Sequence, residues 1–79
     1  MWKVWRENNN YIQGELVSKH SSQSAALKKA ANEIEYKYTV KEEDTKETVI
    51  WLEDEDRKPI GIITKQKGTK RIRQGKKEK

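Results

Sequence analysis

Apolar and polar residues alternate at the start of the chain, in the segment WKVWR at residues 2 to 6. Alternation with a period of two is typical of a β-strand that has one buried face. Three asparagines at residues 8 to 10 tolerate turn conformations, and the segment YIQGELV at residues 11 to 17 is again typical of a strand. The pattern therefore predicts that the chain opens with a β-hairpin.

The pattern changes after residue 17, where apolar residues recur at spacings of three and four. These residues are Leu27, Ala30, Ala31, Ile34 and Tyr38. That spacing predicts an α-helix with one apolar face, and the serines at 18, 21, 22 and 24 are candidate N-caps. We predict that the helix continues to about Tyr36. Alternate apolar positions over residues 34 to 40 also fit a period of two, so a strand over residues 34 to 41 is the alternative.

Two further strands are predicted in the second half of the chain. The β-branched and aromatic run TVIWLED at residues 48 to 54 is typical of a strand, EDRK turns the chain, and PIGIITKQ at residues 59 to 66 returns it. We therefore expect an α+β fold of the order strand, strand, helix, strand, strand, with a fifth strand under the alternative. One helix would pack on one face of an antiparallel sheet.

Alternation also predicts which side chains lie on each face of this sheet. The residues expected to face the helix are Val4, Ile12, Leu16, Ile50, Leu52, Ile60 and Ile62. Those expected on the opposite face are Trp5, Tyr11, Val17, Val49, Trp51 and Ile63. The second set is unusually aromatic for a face in contact with water. It suits either base stacking or burial in a second small core or dimer interface.

Charge is distributed unevenly along the 79 residues, whose formal net charge is +5. The segment KQKGTKRIRQGKKEK at residues 65 to 79, which we call the basic tail, contains eight Lys or Arg residues and one acidic residue, Glu78. Its formal charge of +7 leaves about −2 for the remainder of the chain. We expect one small domain over residues 1–64, followed by a disordered basic tail over residues 65–79.

The basic tail predicts a small protein that binds nucleic acid, DNA rather than RNA, largely without sequence preference. The residues expected to contact nucleic acid are Lys65, Lys67, Lys70, Arg71, Arg73, Lys76 and Lys77, with Trp5 and Trp51 on the aromatic face. The alternative is a protein-interaction or homodimerisation module whose tail only keeps it soluble. A further alternative is that a basic partner docks on the acidic segments at 42–44 and 53–56.

Catalytic and metal-binding patterns are weak in this sequence. The chain has no cysteine, so it has neither a disulfide nor a zinc-binding thiolate, and His20 is its single histidine. The acidic run EDED at residues 53 to 56 lacks the spacing of a calcium-binding loop. We predict a protein that is not an enzyme and uses no cofactor or metal.

Hydropathy places the protein away from the membrane. No run of 18 apolar residues occurs in the sequence, and its start lacks the apolar stretch of a signal peptide. We therefore expect a cytoplasmic protein without a membrane partner.

Residues 2–33 and about 49–70 resemble the archaeal methanogen chromosomal protein family. The similarity consists of the opening hairpin, a glycine in the second strand, and an alanine-rich helix that contains AALKKAAN at residues 25 to 32. The resemblance implies a compact fold that binds and bends duplex DNA. That family is basic throughout and has a tryptophan in a late loop, whereas the last tryptophan here is Trp51, so no individual functional residue is transferred. The same pattern of tryptophan, glycine and alanine residues is also similar to that of small bacterial domains of unknown function.

Overall fold

A computed structural model describes residues 1–67 of the chain. Its elements are β1 (Trp2–Asn8), β2 (Tyr11–His20), α1 (Gln23–Glu33), β3 (Tyr38–Glu43), β4 (Glu47–Glu53) and β5 (Pro59–Gln66). The strands form one antiparallel sheet in the order β2-β1-β5-β4-β3. The predicted α+β fold with an antiparallel sheet is confirmed.

The β1–β2 hairpin turns at the asparagines, as predicted. Asn9 and Asn10 have φ angles of 51° and 70°, in the left-handed region that asparagine tolerates better than most residues. Two consecutive residues in this region suit a two-residue hairpin loop because their twist matches that of the strands. The asparagine run therefore determines where β1 ends and β2 begins.

The helix is shorter than predicted, and the fifth strand is present, over Tyr38–Glu43 rather than residues 34 to 41. Ser22 caps α1, since its Oγ accepts the Ala25 N–H at 3.2 Å. Ile34 is already extended, with φ −131°, and donates its N–H to Ala30 O at 2.7 Å. The prediction of helix to about Tyr36 is wrong because β-branched Ile34 leaves the helix and β3 begins at Tyr38.

A buried cluster joins the helix to the sheet. Its members are Val4, Ala26, Ala30, Ile34, Ile50, Leu52 and Ile63. The strand residues of this cluster define the core face of the sheet. After α1 the chain continues to the far side of the sheet, where the Lys37 N–H donates to Glu53 O at 2.7 Å. The segment from α1 to Lys37 thus connects β2, at one edge, to β3, at the other.

Two pairs of neighbouring residues lie on the opposite faces from those predicted. Val17 packs against the core and Leu16 pairs with Trp5, while Ile63 is in the core and Ile62 pairs with Trp5 and Trp51. Register shifts in both strand pairs explain the error, because an extra residue reverses the alternation beyond it. One shift accommodates Val17 and the other Ile60, which packs on the core as predicted.

Gly61 allows Ile34 to reach the sheet. A Cβ at this position would lie 2.9 Å from Ile34 Cδ1 and 2.7 Å from the carbonyl oxygen of Trp5. Both distances are shorter than normal van der Waals contact, so the absence of a side chain lets the end of the helix approach β5.

No helix within residues 1–67 is long and apolar enough to cross a bilayer.

Candidate nucleic-acid interface

A row of apolar side chains crosses all five strands on the face opposite the core. The strand register aligns, from β2 to β3, the residues Leu16, Trp5, Ile62, Trp51 and Val40. We call the surface centred on this row the aromatic face. Ile62 is buried, with 5% of its surface exposed; Trp5, Trp51 and Val40 are half-buried, and Leu16 is 41% exposed. Alternation thus correctly places both predicted tryptophans on this face.

Trp5 is held in place by a polar contact within the aromatic face. Its Nε1–H donates to Thr64 Oγ1 at 2.9 Å, and Thr64 is buried, with 7% of its surface exposed. This hydrogen bond satisfies both groups and fixes the plane of the indole. The ring therefore presents a rigid apolar surface to the solvent side of the sheet.

Trp51 has an acidic environment. Its Nε1–H donates to Glu42 Oε1 at 2.9 Å. The pocket beside it is lined by Glu42, Glu43, Asp44, Glu47, Val49 and Trp51. Lysines pair with Glu43, and the other three carboxylates produce a negative potential, which opposes the approach of phosphates.

The predicted boundary at residue 64 lies within β5, which continues to Gln66. Lys65 therefore belongs to the sheet, and its Nζ lies 5.5 Å from the centroid of the Trp2 ring, in a cation–π arrangement. Lys67 follows β5, and its N–H donates to Lys46 O at 2.8 Å. The first two predicted phosphate contacts thus have defined positions at the end of the central strand.

Lys67 also pairs with an acidic group of β3. Its Nζ lies 3.3 Å from Glu43 Oε2, while Lys41 Nζ lies 3.5 Å from Glu43 Oε1. The hydrogen bond from Lys67 and the nearby charge of Lys41 lower the pKa of the Glu43 carboxyl. All three side chains are well exposed, so water and salt screen the pair. A phosphate can therefore compete for Lys67 at low cost.

The strand register reveals a lysine pair that the sequence analysis missed. Lys3 and Lys19 are directly opposite one another on β1 and β2, and both lie on the aromatic face. Within residues 1–67 neither forms an ion pair with a carboxylate. Like charges directly opposite in a sheet are destabilising, so this pair suits an anionic partner. Only the pairing of β1 with β2 could identify Lys19, because the two lysines are 16 positions apart.

The remaining predicted contacts lie outside the described residues. They are Lys70, Arg71, Arg73, Lys76 and Lys77. Within residues 1–67 no three or more His, Asp or Glu side chains form a group that could hold a metal ion.

Comparisons with known proteins identify no relative of this chain. No protein-family model matches the chain, and the searches of curated proteins and of solved structures found no match. The resemblance to the archaeal chromosomal family therefore stays a prediction.

Proposed function

We propose that this chain is a small, non-enzymatic protein that binds nucleic acid through its basic tail, largely without sequence preference. Lysine and arginine side chains would neutralise phosphates, which are the same at every base pair. The proposed contact residues are Lys65, Lys67, Lys70, Arg71, Arg73, Lys76 and Lys77. The cytoplasmic location expected from the sequence stays part of this proposal.

The proposal rests on one observation: the positive charge is concentrated in the residues that follow the folded part. Of the 18 Lys and Arg residues, six lie in residues 68–79, as does one of the 13 Asp and Glu residues. The described residues 1–67 thus contain 12 of each and are neutral. The entire net charge of +5 belongs to the last 12 residues. Such a concentration of cations favours a polyanion as the partner.

The geometry at the end of β5 supports the same partner. Lys65 and Lys67 extend the basic sequence into the folded part, where the sheet fixes their positions. The exposed pair between Lys67 and Glu43 is weak enough to exchange for a phosphate. The carboxylates around Trp51 oppose stacking by that residue. The stacking role expected for Trp5 and Trp51 stays a prediction, and the proposal does not depend on it.

A binding titration with charge-neutral variants tests this proposal. The tail variant replaces Lys70, Arg71, Arg73, Lys76 and Lys77 with Gln in the full chain. The matched control replaces five exposed lysines of the folded part with Gln and changes the net charge equally. Those lysines are Lys28, Lys37, Lys41, Lys46 and Lys58. Labelled duplex DNA, single-stranded DNA and RNA would be titrated with each protein at about 50 mM salt, where phosphate contacts are strong.

We expect the tail variant to lose at least about 100-fold in affinity for duplex DNA, because several phosphate contacts disappear together. The control should lose far less, since its lysines are dispersed over the fold. Equal losses in the two variants would mean that only net charge matters. Absence of binding by the unmodified chain to all three probes would overturn the proposal.

A further inference from the structure

We propose that the aromatic face binds a second copy of this chain, so that two sheets form a β-sandwich around a two-fold axis that runs approximately along β5. This axis places each β5 against the other β5, β1 against β4 of the second copy, and β2 against its β3. The sheet order determines these pairs, because β5 is the central strand. Antiparallel sheets pack face to face in this way when their facing side chains are apolar.

The apolar row of each copy meets that of the other under this symmetry. Ile62 lies beneath the centre of the interface, and Trp5 faces Trp51 of the second copy on each side of it. At the margins, Leu16 faces Val40. The five positions match across the axis because the row runs straight over all five strands. Burial of two indoles per chain would supply the aromatic contacts that dominate many protein interfaces.

Charge complementarity selects a second copy over other partners. The next cross-strand row on the same face consists, from β2 to β3, of Lys19, Lys3, Thr64, Val49 and Glu42. In this row the β1–β2 side is thus basic and the β3–β4 side acidic, with Glu47 two residues before Val49 on β4. The two-fold axis exchanges the halves. It brings Lys19 to Glu42 of the second copy, and Lys3 to the region of Val49 and Glu47.

These contacts would offset two unfavourable features of the isolated chain. Lys3 lies opposite Lys19, while Glu42 belongs to a pocket with Glu43, Asp44 and Glu47. Each group of like charges gains opposite charges from the second copy. Packed sheets are rotated by about 30° relative to each other, so the axis is inclined by about 15° to β5 and two facing outer strands, about 9.6 Å from the centre, are displaced by about 5 Å along their length. A lysine side chain spans that displacement.

The symmetry also determines where the two basic tails begin. An axis parallel to the strands leaves the ends of β5 on the same side of the dimer, and packed sheets are about 10 Å apart. Both tails therefore start at one end of the sandwich. Given the proposed function, on which this step rests, the dimer presents two phosphate-binding segments to one duplex. The second segment then binds with a high effective concentration.

Sedimentation equilibrium of the full chain at about 1 to 100 µM, the range of moderate dimer affinities, tests the dimer without nucleic acid. We expect a mass that rises towards twice the 9.4 kDa of one chain. Lys19→Glu and Glu42→Lys each place like charges together and should weaken the dimer about tenfold or more. The double variant, Lys19→Glu with Glu42→Lys, restores opposite charges and should dimerise as the original chain does.

Matched controls are Lys28→Glu on the exposed side of α1 and Glu55→Lys in the β4–β5 turn, which should leave the mass unchanged. Circular dichroism verifies that each variant is folded. A single-chain mass at every concentration would overturn the dimer. Single variants that leave the mass unchanged, or a double variant that stays monomeric, would overturn the proposed packing.

Duplex DNA binding by the same two single variants separates this inference from the proposed function. Lys19→Glu lowers the net charge by two and Glu42→Lys raises it by two. If the dimer brings the tails together, both variants bind duplex DNA more weakly. If only charge mattered, Glu42→Lys would bind more tightly, and the paired-tail arrangement would be wrong. A dimer that binds no nucleic acid would leave the interface standing and refute the function.

Discussion

At the scale of single residues, contact between the helix end and the central strand depends on the absence of one side chain. Gly61 lies under Ile34, a buried residue with 5% of its surface exposed. Ile34 is also the residue at which the helix ends. The contact between Ile34 and Gly61 thus links the end of α1 to its packing against β5.

We predict that Gly61→Ala destabilises the fold by about 1–3 kcal/mol, because the added methyl group overpacks the core. The new Cβ would meet Ile34 Cδ1 at 2.9 Å and Trp5 O at 2.7 Å. Urea unfolding followed by tryptophan fluorescence measures the change.

Ile34→Val provides the matching test, because it removes the Cδ1 atom that the alanine would meet. Alone it should cost about 0.5–1.5 kcal/mol. In the Gly61→Ala background it should cost less, since it also relieves the close contact. Strictly additive costs would show that the two residues do not interact as described.

At the scale of elements, α1 depends on its first turn as well as on its packing. An 11-residue helix is short for a stable isolated helix, so tertiary contacts and capping both contribute. The cap is the Ser22 hydroxyl, which accepts the Ala25 N–H.

Ser22→Ala should lower the free energy of unfolding by about 0.5–2 kcal/mol, because the Ala25 N–H loses its acceptor. Ser21→Ala, one residue earlier at another exposed serine, is the control and should change it by less than about 0.5 kcal/mol. Equal effects in urea unfolding would refute the assignment of Ser22 as the cap.

The β3–β4 turn contains a carboxylate that should make stability depend on pH. Asp44 Oδ1 accepts the N–H groups of Glu47 and Lys46 at 2.8 and 2.7 Å, and these hydrogen bonds lower the pKa of Asp44. A lowered pKa in the folded state means that the contribution is complete above the unfolded value, about 3.9. It is lost as the pH falls through the folded value.

We therefore predict that Asp44→Asn reduces the loss of thermal stability between about pH 5 and pH 2, the range in which this carboxylate is protonated. Asp56→Asn in the β4–β5 turn is the control. An NMR titration should find the Asp44 carboxyl below its ordinary pKa. An Asp44 titration at the ordinary value, with an unchanged pH profile in the variant, would contradict the prediction.

The elements also show which structural features the sequence could predict. Local signals determined the β1–β2 turn at the asparagines, the bounds of β5, those of β4 to within one residue, and the existence of one helix. The positions of Leu16, Val17, Ile62 and Ile63 could not be predicted, because register shifts arise from strand pairing and leave no mark in local alternation. The end of the helix was ambiguous because residues 34 to 40 fit both periods.

At the scale of the whole molecule, the protein separates its charge in two ways. The described fold is neutral, with the excess of positive charge in the residues that follow it. Within the fold, one cross-strand row of the aromatic face has lysines on β1 and β2 and Glu42 on β3. The first separation could be read from the sequence. The second needed the strand order, because β1 and β5 are adjacent although their sequences are far apart.

The salt dependence of duplex DNA binding tests the central claim most directly. The logarithm of the binding constant should fall linearly with the logarithm of salt concentration, by about 0.9 for each phosphate neutralised. If Lys70, Arg71, Arg73, Lys76 and Lys77 each contact a phosphate, replacing all five with Gln should reduce the magnitude of the slope by about 4.5. A slope that is the same in the variant and the unmodified chain would contradict the claim that the basic tail binds nucleic acid.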